Sequence, residues 1–320
     1  MTAEVLRIGS RGSELALWQA RWVESEVRTL FPRCSVTIEV IRTTGDRILD
    51  SPLSTIGDRG LFTREIEEAL LDGRIDCAVH SLKDLPTELP DGLALGASCR
   101  REEVRDVFIP HPENPVRTLL AQAQGAAIAT GSLRRRSQLL ARRPDFRVID
   151  IRGNLNTRMN KLGESDWAGM VLACAGVRRL GLERSIGEII PCDVILPAVG
   201  QGAIGVEIRS GDRRVADLIS RLDDPSTARA VGAERALLRR LEGGCQVPIG
   251  TYARIEGNGD GGVLLMDAMV ASLDGRTVVR GKTHGSPASS EAIGRTLAET
   301  LLAGGAERIL RGIRPGPQAA

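Results

Sequence analysis

The sharpest chemical feature of the 320-residue chain is Gly243-Gly-Cys-Gln-Val-Pro248. Two glycines leave the Cys245 sulfur uncrowded and Pro248 stiffens the exit, a setting for a nucleophile or a covalent attachment point rather than for an inert buried thiol. Three further segments concentrate arginine with a hydroxyl or an amide: Ser10-Arg-Gly-Ser13, Thr130-Gly-Ser-Leu-Arg-Arg-Arg-Ser137 and Arg152-Gly-Asn-Leu-Asn-Thr-Arg158. Each falls where a strand pattern gives way to a helix pattern, so unpaired backbone N–H groups point outward beside fixed positive charge. One such turn is commonplace and reads equally well as a capped helix with a solvated face. Three together point to a polyanionic ligand. Lys83-Asp84 follows an apolar strand directly and suits a site that stabilises a cation and relays a proton; its ordinary reading is a surface ion pair. His80, just before it, reads as a core histidine. The polar, Gly-bearing stretch 46–60 reads as a lid loop.

The elements that must hold these residues alternate. Leu6–Gly9 is a strand pattern, Ser13–Leu30 a helix, and Val36, Ile38 and Val40 alternate as in a second strand. Thr63 is placed to cap a helix running to Leu71, with Glu65, Glu67 and Glu68 near its positive end. Strands follow at Asp76–His80 and Leu93–Ala97. After the proline-marked stretch from Ile109 to Pro115 the rhythm restarts. Strands are expected at Ala126–Thr130, Arg147–Ile151 and Met170–Cys174, and helices at Ser132–Arg143 and Leu155–Leu162. A strand at 204–208 returns to the first unit. This is βαβ grammar, implying mostly parallel sheets with helices on their faces. From about residue 213 it changes to two helices (213–222 and 226–241), strands at 249–256, 263–272 and 277–283, and a helix over 290–302. Asp274-Gly275 marks a hairpin between the last two strands. The reading divides the chain into 1–99 plus 200–218, carrying lid and aspartate; 100–199, carrying the arginine-rich site; 219–312, carrying the cysteine loop; and a flexible tail over 313–320.

Composition removes several classes. With 43 basic and 41 acidic residues the net charge is only +2, and the hydrophobic fraction of 42% is that of an ordinary folded protein. No run approaches the ~18 apolar residues of a spanning helix. The first residues lack the basic and apolar blocks of a secretory signal, so a cytoplasmic, reducing setting is expected. Six scattered cysteines without a C-x-x-C pair and three distant histidines make no zinc framework and no Cys–His hydrolase motif. Eight aromatic residues are too few for a single-strand nucleic-acid platform, which leaves the Arg134–Arg136 run without that use.

Six motifs taken in order carry a resemblance. Ile8-Gly-Ser-Arg-Gly-Ser13, Val79-His-Ser-Leu-Lys-Asp-Leu-Pro86, Gly131-Ser-Leu-Arg-Arg135, Arg152-Gly-Asn-Leu-Asn-Thr-Arg158, Leu196-Pro-Ala-Val-Gly-Gln-Gly-Ala203 and Leu241-Glu-Gly-Gly-Cys-Gln-Val-Pro248 together resemble the porphobilinogen deaminase family, from about residue 6 to 255. The resemblance implies two periplasmic-binding-protein-like α/β domains with the site between them and a smaller α+β C-terminal domain. It implies a cytoplasmic, monomeric transferase that joins four porphobilinogen molecules head to tail, releasing ammonia, to give hydroxymethylbilane. It also implies a covalent dipyrromethane cofactor, one per chain, no metal, and neither nucleic acid nor membrane as partner.

Carried over residue by residue, Cys245 holds the dipyrromethane through a thioether. Ser81, Lys83, Asp84, Thr130, Ser132, Arg134, Arg135 and Arg158 contact that cofactor. Arg11, Ser13, Arg152, Arg158 and Arg179 take the substrate's acetate and propionate groups. Asp84 is the catalytic carboxylate, stabilising the cationic pyrrole formed on loss of ammonia and passing the proton released in coupling, with Lys83 helping to keep it ionised. Two lid positions and one strand entry depart from the family's usual residues: Thr55 lacks the common lysine's charge, Arg59 keeps it, and Ala168 stands where Asp is common. The alternative from another class is a non-catalytic two-lobed carboxylate-binding protein, which would use the arginine turns and leave Asp84 and Cys245 idle.

Overall fold

The computed structural model describes residues 5–47, 63–241, 247–257 and 262–313. The chain divides into two compact units, Met1–Glu102 with Gly202–Ala228, and Glu103–Gln201 with Arg229–Ala320.

In the first unit β1 (Val5–Ser10) leads through α1 (Glu14–Leu30) to β2 (Ser35–Val40), the short α2 (Thr44–Arg47), α3 (Arg64–Leu71), β3 (Cys77–Ser81) and β4 (Leu93–Ser98). The sheet order is β2-β1-β3-β10-β4, with β10 (Ile204–Arg209) supplied by a much later part of the chain. β1 runs parallel to β2 and β3, while β10 is antiparallel to both β3 and β4. One face buries Leu6, Ile8, Val79 and Val206 against Ala20, Val23 and Val27 of α1. The other packs Ala78 and Ile75 beneath Ile66, Ala69 and Leu70 of α3. α7 (Arg213–Ile219) closes the unit, started by Asp212, whose carboxylate accepts the Val215 N–H.

The second unit repeats the plan. β5 (Asp106–Pro110), β6 (Ala127–Ala129), α4 (Leu133–Arg142), β7 (Arg147–Ile149), α5 (Leu155–Gly163), β8 (Gly169–Ala173), α6 (Cys174–Arg179) and β9 (Glu188–Ile189) give the sheet order β7-β6-β8-β5-β9. β6 is parallel to β7 and β8, and β5 is antiparallel to β8 and β9. Each five-stranded sheet thus places, fourth in order, an antiparallel strand contributed by chain that has just crossed from the other unit. The expected architecture of two α/β sheets with helices on their faces is present, although neither β5 nor β9 was legible in the sequence.

α8 (Pro225–Arg240) leads into the last segment. There β11 (Ile249–Glu256), β12 (Val263–Ala271) and β13 (Val278–Gly285) form an antiparallel meander. α9 (Ser290–Leu301) covers it, burying Ile293, Leu297 and Leu301 on Leu264, Met266 and Ala268. The expected hairpin stands between β12 and β13, but its loop spans residues 272–277, closed by the Ser272 N–H donating to Thr277 O at 2.9 Å. Gly275 lies at φ 72° with its α-carbon against the α4 backbone, where a β-carbon would come within 2.4 Å of Ala141 N. After α9 the chain kinks at Gly305 (φ 102°) into α10 (Glu307–Arg311), continuing a helix expected to stop near residue 302.

Candidate active site

In open α/β sheets the chemistry collects at the carboxyl ends of parallel strands, and the predicted residues sort themselves there in both units. In the first, β1 ends at Ser10 and α1 begins after Ser13, whose hydroxyl accepts the Ala16 N–H at 3.3 Å. β3 ends at Ser81 and turns at once into a single 3-10 turn, Leu82–Asp84. Arg11, Ser13, Ser81 and Asp84 line one cleft, with about 420 Å³ of open space, joined by Gln19, Thr63 and His80. Asp84 is exposed on its turn, and Lys83 beside it is half-buried.

That turn is anchored from below. Leu82 and Leu85 are buried, the Leu82 N–H donates to Ala203 O at 3.0 Å, and the Leu85 N–H to Leu82 O at 3.2 Å. Leu82 reaches across β10 at Gly205, where a β-carbon would stand 2.6 Å from its Cδ1. The exposed carboxylate is therefore carried on two apolar pegs rather than on a loose loop. Gln19, from α1, donates Nε2–H to the Ser81 hydroxyl at 2.9 Å and fixes the strand end from the other side.

In the second unit β6 ends at Ala129 and Ser132 caps α4 by accepting the Arg135 N–H. Gly131 is required between them, because a β-carbon would fall 2.5 Å from Ile151 O on the adjoining strand exit. Thr130 is buried and its hydroxyl accepts the Ser132 N–H at 3.3 Å. Arg134 and Arg135 turn inward, only 4% and 5% exposed, and share one carboxylate. Arg134 Nη1 donates to Asp106 Oδ2 at 2.8 Å and Arg135 Nη2 to Asp106 Oδ1 at 2.9 Å. Gln201 adds Nε2–H to Asp106 Oδ1 at 2.8 Å, and Arg134 also donates to Leu196 O at 2.6 Å. Burial opposes ionisation of Asp106, yet two guanidinium charges and their hydrogen bonds outweigh it and hold the carboxyl well below the usual carboxylate range. Burial also lowers Arg134, partly offset by Asp106. Two buried cations set against one anion leave an uncompensated positive charge, and the Nε atoms of both arginines have no hydrogen-bond partner.

The remaining arginines follow the neighbouring strand ends. Arg152 and Arg158 flank the turn from β7 into α5, where Asn154 caps the helix by accepting the Thr157 N–H and Gly153 adopts φ 111°. Arg158 donates Nε–H to Gly153 O at 2.9 Å, and Arg152 Nη1 is buried without a partner. Arg179 closes α6, which starts directly after β8. Ala168 makes its contribution through the backbone: its carbonyl accepts from His111 N and Asn114 Nδ2, so the small side chain serves the strand entry. Cys245 falls within 242–246, outside the described residues, as do Thr55, Arg59 and the lid stretch from 48 onward. Both ends of the cysteine segment are nonetheless fixed, with Leu241 buried in the C-terminal core and the Ala271 N–H donating to Pro248 O at 3.2 Å.

His80 takes the expected buried position at the edge of the cleft, but with an unexpected partner: its Nε2 is 3.3 Å from Oε2 of the fully enclosed Glu207. Asp106, Gln201 and Glu207 were not singled out in the sequence, and Glu67 only as one of three acids near the positive end of its helix. The signal existed, since an acid opens Asp-Val-Phe-Ile and another interrupts Ile-Gly-Val-Glu-Ile, each inside an otherwise apolar strand.

A family profile described as "Porphobilinogen deaminase, dipyromethane cofactor binding domain" matches residues 6–217, and one described as "Porphobilinogen deaminase, C-terminal domain" matches residues 228–303. Proteins named porphobilinogen deaminase share this sequence over nearly their whole length. That of Carboxydothermus hydrogenoformans is 51% identical over 314 residues, 98% of each chain. Those of Moorella thermoacetica and Syntrophotalea carbinolica are each 50% identical, over 97% of this chain and 96% of theirs.

Proposed function

Because the chain belongs to the porphobilinogen deaminase family, we propose that its two strand-end clusters divide the family's reaction between acid–base work at Asp84 and carboxylate binding at the buried arginines. The reaction joins four porphobilinogen molecules head to tail on a dipyrromethane cofactor, releasing ammonia and giving hydroxymethylbilane. The non-catalytic alternative is not favoured, since it assigns no use to Asp84. The sheets support a division into 1–99 plus 200–218, 100–199 and 219–312, one sheet in each. No described helix is long and apolar enough to cross a membrane, and we take the enzyme to be a cytoplasmic monomer.

The observation that carries the reading is the charge imbalance in the second unit. Pyrrole acetates and propionates are carboxylates, and Arg134 and Arg135 keep one positive charge and two Nε–H donors beyond what Asp106 satisfies. That donor set fits a carboxylate-rich cofactor, with Thr130 and Ser132 at the α4 N-terminus and Arg158 beside them. The dipyrromethane, which we assign to Cys245 through a thioether, supplies the nucleophilic pyrrole carbon from which the chain grows. Arg11, Ser13, Arg152 and Arg179 would orient incoming acetate and propionate groups. Ser81 and Lys83 fix polar groups next to Asp84, and the Asp84 carboxylate stabilises positive charge developing on the pyrrole and accepts the proton released as the new carbon–carbon bond closes.

Intact mass of the purified protein beside its Cys245→Ser variant tests the anchor. The wild type should carry an excess equal to one dipyrromethane, absent from the variant. A wild type that gains no pyrrole units even after porphobilinogen is added would overturn the enzyme reading and leave the anion-binding alternative. Asp84→Asn should keep its loaded mass while kcat falls about 100-fold or more, the usual scale for losing a general acid–base group; turnover near the wild-type rate would remove Asp84 from its role.

A further inference from the structure

Behind the Asp84 turn lies a cluster that the reaction scheme leaves unused. β3 and β10 pair so that His80 faces Gly205 and Ala78 faces Glu207. His80 and Glu207 are therefore diagonal neighbours on one sheet face, the face covered by α3. Glu67 comes down from α3 onto that face, between the buried Ile66 and Ala69–Leu70. Relative exposures are 7% for Glu67, 5% for His80 and 0% for Glu207. Buried ionisable groups are normally saturated with hydrogen bonds. Here Glu207 Oε1 and Oε2, Glu67 Oε1 and His80 Nε2 make none, and the close approach within the cluster is the 3.3 Å separation of His80 Nε2 from Glu207 Oε2. His80 precedes Ser81 and itself lines the cleft, Glu67 sits on α3, which follows the cleft residue Thr63, and Glu207 sits on β10, which begins beside Ala203, whose carbonyl holds the Leu82 N–H under Asp84.

We propose that Glu67, His80 and Glu207 form a positioning triad for the reaction at Asp84, in which Glu207 Oε2 faces His80 Nε2 at 3.3 Å and Glu67, from α3, completes the cluster. Burial raises the Glu67 pKa, the Thr63 side chain opposes this, and the neighbouring Glu207 charge raises it further. The charged or titratable groups facing Glu67 are Glu207 on β10, His80 on β3 and Arg64 on its own helix. The triad ties three elements whose ends build the cleft, so it sets where the Asp84 turn sits without touching substrate.

This inference rests on Asp84 being the catalytic carboxylate, and its test keeps Asp84 intact, so a failure of that assignment would appear separately in Asp84→Asn. The full-length enzyme, with primer loading checked by intact mass, is compared with His80→Gln, His80→Leu, Glu207→Gln and Glu67→Gln, reading kcat, KM and the pH–rate profile. The amide nitrogen of Gln stands near the position of the imidazole Nε2, so His80→Gln should retain kcat within about fivefold while His80→Leu loses about tenfold or more, with KM within about twofold in both. Glu207→Gln should lower kcat about tenfold and displace the acid limb of the profile, and Glu67→Gln should lower it less, because burial and the Glu207 charge already disfavour ionisation of Glu67. Wild-type kcat and pH profile in His80→Leu and in Glu207→Gln would overturn the proposal. So would a Glu67→Gln loss as large as that of Glu207→Gln, because Glu67 would then act as a charge. Should Glu207→Gln fail to fold, the His80 pair decides alone: equal activity of Gln and Leu at position 80 would refute the triad.

Discussion

The two α/β sheets share a strand order, and each buries one carboxylate on its antiparallel strand, Glu207 on β10 and Asp106 on β5, both fully enclosed. Their surroundings are opposite. Asp106 sits between two guanidinium groups and a glutamine amide, which keep it ionised despite burial. Among the described residues the Glu207 carboxylate makes no hydrogen bond and faces an imidazole at 3.3 Å, with a second buried acid, Glu67, whose pKa burial and the Glu207 charge raise. One topology thus supplies a cationic seat in one unit and a cluster of two acids around an imidazole in the other. The strand plan fixes where a buried acid stands; the partner chosen for it fixes its charge, and with it the chemistry of that strand end.

The comparison is broken most directly at Asp106. Asp106→Asn keeps the shape and removes the one anion between two buried arginines, which should cost about 3–5 kcal/mol, the scale for leaving a buried charge unpaired. Urea unfolding of wild type and variant at neutral pH measures it, and a difference under about 1 kcal/mol would mean the arginines find water or another partner. The pH dependence follows from the direction of the shift. Asp106 has a folded pKa below its unfolded value of about 4, so its contribution is fully present above that value and is lost as pH falls toward the folded one. The gap between wild type and Asp106→Asn should therefore narrow below about pH 4.

A smaller break tests how firmly the reactive turn is held. At Gly205 an added methyl meets the flexible ends of Leu82 and Leu85, whereas at Gly169, on β8, it would meet the Phe108 ring and the Ile109 carbonyl. Overpacking against side-chain tips costs about 1–3 kcal/mol. Gly205→Ala should fall in that range and Gly169→Ala above it. Gly205→Ala alone should lower kcat, because it lifts the peg under Asp84. Equal kcat in the two variants at matched folded fractions would show that the Asp84 turn does not depend on Leu82.

These effects also mark what the sequence could reveal. The strand-to-helix turns at Ser13, Ser132 and Asn154 were legible because capping residues and glycines announce themselves locally. The hairpin at Asp274-Gly275 was legible for the same reason, though not its six-residue loop. β5 and β9 were hidden. β5 runs into Pro110 and the proline-marked stretch that reads as a break, and β9 has two residues, too few for a period. The inward turn of Arg134 and Arg135 was hidden too. In sequence they belong to a basic run, and only Asp106, 28 residues earlier, makes their burial tolerable. Glu67 looked like one of three acids suited to the positive end of α3; the structure buries it, because it lies on the same helix face as Ile66 and Leu70.

The smallest expected effect sharpens the contrast from the acidic side. Glu67 has a folded pKa above its unfolded value, so its sign is opposite to that of Asp106. Its contribution is present below the unfolded pKa and drains away as pH rises through the folded one, because ionisation then places a second negative charge beside Glu207. Glu67→Gln removes that titration while keeping a neutral group of the same size. Wild type should therefore lose stability relative to Glu67→Gln as pH rises, while Asp106→Asn approaches wild type as pH falls. Thermal unfolding of the three proteins across the pH range reads both slopes in one experiment. If Glu67→Gln instead became the less stable protein with rising pH, Glu67 would be ionised in the fold, and the two sheets would differ in the number of their buried charges but not in kind.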